Sequence, residues 1–137
     1  MAPVRILIVD DFQPWRRWVS IVLADYQDFQ VVGEAGDGLE AVQKSETLRP
    51  DLILLDIDLP GLDGIEAARR ICALAPDSAI LFISGNESPT VVHRALRAGT
   101  GARGYVAKCD LAIDLLPALE AVRKNRQFVS GRIARSL

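Results

Sequence analysis

Cysteine is scarce in this 137-residue chain, and Cys72 and Cys109 lack the close spacing of a metal-binding pair. Two cysteines build no disulfide framework, so a reduced, cytoplasmic compartment is the expectation. Histidine occurs once, at His93 within a helical pattern, which excludes histidine from the chemistry of the strand ends. No G-x-x-x-x-G-K-[ST] phosphate loop is present. No apolar run approaches the ~20 residues that cross a bilayer, so no membrane role is expected. The first apolar run breaks at Asp10–Asp11, short of the ~7–15 apolar residues of a signal peptide. Neither sign of charge dominates: the net charge is −2, so composition alone gives no argument for nucleic acid. Half the residues are hydrophobic and a quarter charged, enough for one ordered domain with a single core.

Four short apolar runs are rich in Ile, Leu and Val, and each ends on a residue suited to phosphoryl chemistry. Val4–Val9 runs into Asp10–Asp11, Leu52–Leu55 into Asp56, Ala79–Ile83 into Ser84, and Tyr105–Ala107 into Lys108. Runs of this kind, separated by helical segments, predict a parallel sheet buried on both faces. Ligands of such sheets bind beyond the carboxyl ends of the strands. Three carboxylates, a hydroxyl and an ammonium are therefore expected at one rim.

Strand and helix alternate along the chain five times. The first helix is expected near Gln13, with Pro14 in its first turn and Trp15, Val19, Val22, Leu23 and Tyr26 toward the sheet. A strand over Gln30–Glu34 leads through Asp37–Gly38 to a helix carrying Leu39, Val42 and Leu48 and ending at Arg49–Pro50. Asp63 is placed to cap a third helix bearing Ile65, Ala68, Ile71 and Leu74. Ser88–Pro89 opens a fourth, stopped by Gly99. Right-handed crossovers then put helices on both faces of a five-stranded sheet. Trp15 and Trp18 read as packing residues, and Cys72 as a small buried hydrophobe.

Ionised carboxylates gathered at one rim repel unless a cation or proton intervenes. An all-oxygen anionic pocket suits Mg²⁺, which binds carboxylates together with phosphate oxygens. One carboxylate can then act as a nucleophile toward a phosphoryl group, with Lys108 and Ser84 stabilising the equatorial oxygens.

Taken in order, VDD at 9–11, DLILLDIDLPGLDG at 51–64, SG at 84–85 and GYVAK at 104–108 resemble the response-regulator receiver domain of two-component signalling. The resemblance covers residues 1–127, leaving 128–137 as a basic C-terminal tail or truncated linker. It implies a flavodoxin-like α/β fold with a doubly wound five-stranded parallel sheet in order 2-1-3-4-5. It implies Asp56 as acceptor of a phosphoryl group from a partner's phosphohistidine. Asp11, Asp56 and the Asp58 backbone carbonyl resemble direct Mg²⁺ ligands, and Asp10 one that acts through water. Lys108 resembles the phosphate-pairing lysine, Ser84 the switch hydroxyl and Tyr105 the switch aromatic. The implied partners are a sensor histidine kinase or phosphotransfer protein, with homodimerisation left open. Such a module catalyses its own phosphorylation and dephosphorylation and is not a multiple-turnover metabolic enzyme.

Three features depart from the family pattern. Thr100–Gly101 lengthens the loop before the last strand, Cys109 stands where many members have proline, and Pro117 falls within the fifth helical segment. The helix is therefore expected to start near Asp114 or to bend. Residues 123–137 hold Arg123, Lys124, Arg126, Arg132 and Arg135 without an acid, which reads as a helix end followed by a solvated extension. Within it, RQFVSGRIAR at 126–135 resembles the segment joining receivers to helix-turn-helix domains. DNA contact is expected only where a longer parent supplies an output domain. Two rival readings remain: a haloacid-dehalogenase-type aspartyl phosphatase with Asp56 and Asp58 as its pair, and a receiver-like module that is not phosphorylated. Pro60 stands where those phosphatases usually carry Thr or Val, and their nucleophile ends the first strand rather than the third.

Overall fold

The strands assemble as an all-parallel sheet because the central ones are apolar on both faces and successive strands are joined by crossover helices. The structure, a computed structural model, describes residues 2–97 and 99–137. In chain order the elements are β1 (Val4–Val9), α1 (Gln13–Ala24), β2 (Phe29–Ala35), α2 (Gly38–Leu48), β3 (Leu52–Leu55), α3 (Gly64–Leu74), β4 (Ala79–Ser84), α4 (Pro89–Ala95), β5 (Ala102–Ala107), α5 (Leu111–Arg123), β6 (Phe128–Val129) and α6 (Gly131–Ala134). A single 3₁₀ turn, Lys108–Asp110, joins β5 to α5.

Alternation along the strands sorts the core into two layers. Leu7, Val9, Ile53, Leu55, Ile80, Phe82 and Tyr105 face α2, α3 and α4. Ile6, Ile8, Leu52, Leu54, Leu81, Ile83 and Val106 face α1 and α5. On α1, Val19 and Leu23 are fully buried, whereas Tyr26 lies past the helix end and is exposed. Leu39 is exposed as well, since it sits in the first turn of α2 on the side away from the sheet. The capping expectation for α3 holds, Asp63 accepting from the Glu66 N–H, and Asp37 caps α2 in the same way by accepting from the Glu40 N–H.

The sheet order is β2-β1-β3-β4-β5-β6, so the expected order of five is present with a sixth strand added. The addition comes from residues expected as a solvated extension. Phe128 and Val129 pair with Gly104 and Tyr105, and Ile133 of α6 is buried in the layer that holds Tyr105. Gly104 permits this approach, because a Cβ there would sit 2.2 Å from the Phe128 carbonyl oxygen. Ser130 is wholly buried; its Oγ accepts the Ala107 N–H at 3.0 Å and donates to Asp114 at 2.7 Å. Arg132 pairs with Asp110. The basic residues were legible, but the apolar Phe128, Val129 and Ile133 between them determine the packing.

Ser130→Ala should therefore cost about 1–3 kcal/mol, since it leaves a buried N–H and a carboxylate short of a partner. Urea unfolding checks this, and an unchanged midpoint would mean that β6 contributes nothing to the fold.

Two further expectations change. The fifth helix starts at Leu111, not near Asp114, and takes Pro117 in its interior. Proline removes the bond to the Ile113 carbonyl, but Pro117 and Ile113 are both exposed, so water can satisfy that group. The fourth helix ends at Ala95, earlier than Gly99. In the lengthened loop Thr100 is buried, its hydroxyl bonded to the Ala95 and Arg97 carbonyls and to the Ala102 N–H.

Candidate phosphoryl-transfer site

The rim at the carboxyl ends of β1, β3, β4 and β5 brings together residues spread from position 10 to position 108. β1 delivers Asp10 and Asp11. Asp10 is fully buried and Asp11 exposed. The Asp10 carboxylate accepts the Phe12 N–H at 2.8 Å, and the Asp10 carbonyl accepts from Arg16 Nη1 at 2.6 Å. Arg16 is itself held by Glu34 at 3.0 Å, so the turn from β1 into α1 is braced from both sides.

β3 delivers Asp56, which is 6% exposed. Gly64 lets the start of α3 press against it, since a Cβ there would lie 2.0 Å from the Asp56 carbonyl oxygen. One carboxylate oxygen from each of Asp10, Asp11 and Asp56 lies within 4.8 Å of the others. The Asp58 carboxylate is not part of that trio; the Asp58 N–H donates to Asp56 Oδ1 at 3.3 Å. β5 ends on Lys108, whose Nζ lies 2.5 Å from Asp10 Oδ2 and 3.4 Å from Asp56 Oδ2.

Three carboxylates and one ammonium leave an excess of negative charge. Burial pushes the Asp56 carboxyl up to about 6; the Lys108 ammonium opposes the rise and the Asp10 carboxylate adds to it. Burial would lower Lys108, but the bond to Asp10 and the charge of Asp56 outweigh it and hold the ammonium above its ordinary value. The donor set is all oxygen, close-set and under-neutralised, which fits a hard divalent cation.

Ser84, at the end of β4, is fully buried, and its Oγ accepts the Asn86 N–H at 3.0 Å. The Tyr105 ring is buried too, with its centroid 6.2 Å from that of Phe82 and its hydroxyl donating to the Asn86 carbonyl. Asn86 thus joins the two β-strand residues through its own backbone.

Sequence reasoning passed over two participants and read a third, Trp15, as a packing residue. Arg16 braces Asp10, Asn86 connects Ser84 to Tyr105, and the Trp15 ring centroid lies 4.7 Å from Lys108 Nζ. Only Trp15 carried a usable signal, its position in the first turn after Asp11; the Arg16 guanidinium acts on a backbone carbonyl and Asn86 through its own backbone, contacts that no motif displays.

Comparison with known proteins decides the family. The model of the response regulator receiver domain matches residues 6–120. The chain belongs to that family. It is 34% identical over 134 residues to the response regulator GacA of Pseudomonas viridiflava, covering 98% of this receiver domain and 62% of GacA. The chain thus spans about three fifths of the length of the curated relatives it matches first. It is 36% identical to the chemotaxis protein CheY of Listeria monocytogenes, over 88% of this chain and 99% of that one. A LuxR-family two-component response regulator from an Aurantimonas species superposes with a TM-score of 0.90 at 32% identity, over 97% of this chain and 94% of that one. A receiver domain in a two-component system is what the motif order implied, and the dehalogenase-type reading gives way to it. Among the described residues no helix is long and apolar enough to cross a membrane.

Proposed function

We propose that this receiver domain accepts a phosphoryl group on the Asp56 carboxylate from a phosphohistidine of a sensor histidine kinase or phosphotransfer protein, in the cytoplasm. One observation carries the reading: a nearly buried carboxylate meets two further carboxylates and a single ammonium at the strand rim. An Asp56 oxygen attacks phosphorus, the P–N bond breaks, and the partner's imidazole leaves with that electron pair. Asp10, Asp11 and Asp56 are the residues that would hold Mg²⁺, with the Asp58 carbonyl as a further oxygen donor. When bound, the ion offsets the charge of the carboxylates and of the phosphoryl oxygens. Lys108 supplies a positive charge to the same oxygens. The Ser84 hydroxyl accepts from Asn86, which leaves its own proton to donate toward a phosphoryl oxygen.

That donation is a contact available only in the phosphorylated state, and such differential contacts shift conformational populations. Asn86 and Tyr105 connect it to α4 and β5, the proposed output face, with Ser84 and Tyr105 as the switch pair. Beryllofluoride with Mg²⁺ should slow amide hydrogen exchange over residues 86–96 and 102–107. Protection confined to the loops after β1 and β3 would place the output elsewhere. DNA contact belongs to an output domain of a longer parent, and a second copy of the chain is a further candidate partner.

A further inference from the structure

We infer that Trp15 is a positioning residue for phosphoryl transfer, its indole face holding the Lys108 ammonium against the Asp10 and Asp56 carboxylates. The inference rests on the phosphoacceptor reading above. Lys108 Nζ has carboxylate oxygens at 2.5 and 3.4 Å and the Trp15 ring centroid at 4.7 Å, inside the range of cation–π attraction. An ammonium carries three donors on a flexible four-carbon stem, and in open water it is strongly hydrated. Two acids and an aromatic face together restrict it to one place. The indole differs from a third carboxylate in one respect that matters. It attracts the cation without neutralising it, so the full charge stays available to a phosphoryl group on Asp56.

Trp15 is itself well held. It is half-buried against the core layer of α1 and α5, in the first helical turn. That turn is tied to the site by the Phe12 N–H on Asp10 and by Arg16 on the Asp10 carbonyl. Ring and carboxylate therefore form one unit that registers Lys108 from both sides. A purely structural tryptophan would affect stability and leave the rate alone.

The test is the rate of Asp56 phosphorylation by phosphoramidate at saturating Mg²⁺, followed by intact-protein mass spectrometry. Calorimetric Mg²⁺ affinity and the melting temperature are measured beside it. Trp15→Leu should slow phosphorylation about three- to tenfold with Mg²⁺ affinity unchanged, and Trp15→Phe should recover most of the rate. In a Lys108→Met background, Trp15→Leu should have no further effect. Should Trp15→Leu not fold, fluorinated tryptophans in a Trp18→Phe background weaken the ring's face without changing its shape. The rate should then fall with each added fluorine. An unchanged rate in folded Trp15→Leu, equal slowing with and without Lys108, or no trend with fluorination overturns the inference. A wild type that takes no phosphoryl group at Asp56 defeats the phosphoacceptor reading instead.

Discussion

Incubated with acetyl phosphate and Mg²⁺, the wild-type domain should gain one phosphoryl group, and Asp56→Asn should gain none. The side chain of Asp56 is nearly buried, faces Lys108 at 3.4 Å and shares its rim with Asp10 and Asp11. An amide in its place is not a nucleophile for phosphorus, so the loss should be complete rather than partial. Asp11→Ala should abolish the dependence on Mg²⁺ together with labelling, because it removes the exposed member of the oxygen trio. Lys108→Ala should bind the ion and still slow transfer by about 10²-fold, the scale for losing one preorganised charge partner. Phosphopeptide mapping after reductive trapping reads the site directly. Equal labelling of wild type and Asp56→Asn would remove Asp56 from the acceptor role.

The same substitution should stabilise the fold when divalent cations are absent. The folded chain holds the Asp56 carboxyl near 6 against an ordinary value of 3.8, chiefly because burial disfavours the charged form. Between those values the folded state binds a proton that the unfolded state has released, so stability falls as pH rises through that window. Above about pH 6 the whole cost is present. It amounts to about 2 kcal/mol once solvent screening at the rim is allowed for. In EDTA at pH 7.5, Asp56→Asn should melt about 5–10 °C above wild type. The gap should shrink toward pH 4, where wild-type Asp56 is increasingly protonated in both states. Mg²⁺ should raise the wild-type midpoint more than that of the variant, since a ligand stabilises the state that binds it. Thermal unfolding by circular dichroism reads all three. A variant that melts below wild type in EDTA would mean the Lys108 pairing outweighs the cost of burying the carboxylate.

Local pattern determined most of the architecture. Short Ile, Leu and Val runs closed by Asp10–Asp11, Asp56, Ser84 and Lys108 prescribe parallel strands with chemistry at one rim. The order 2-1-3-4-5 came with the family resemblance of the rim motifs, since one-handed crossovers admit other doubly wound orders as well. The caps at Asp37 and Asp63 are equally local, each needing only a side-chain oxygen three residues before a free N–H.

Other features depend on what lies across space. The segment 128–134 reads as a basic extension until the edge of β5 is available; then Gly104 admits its backbone and Ser130 finds Ala107 and Asp114. Pro117 is tolerated because its side of α5 faces water, which no local rule about proline reveals. At the site, residue types were legible but partnerships were not. That Lys108 lies between two carboxylates and the ring of Trp15 is set by where the tertiary fold brings the start of α1 and the residue after β5 to the same rim. Such distances arise from packing of elements distant in sequence, and periodicity carries no information about them.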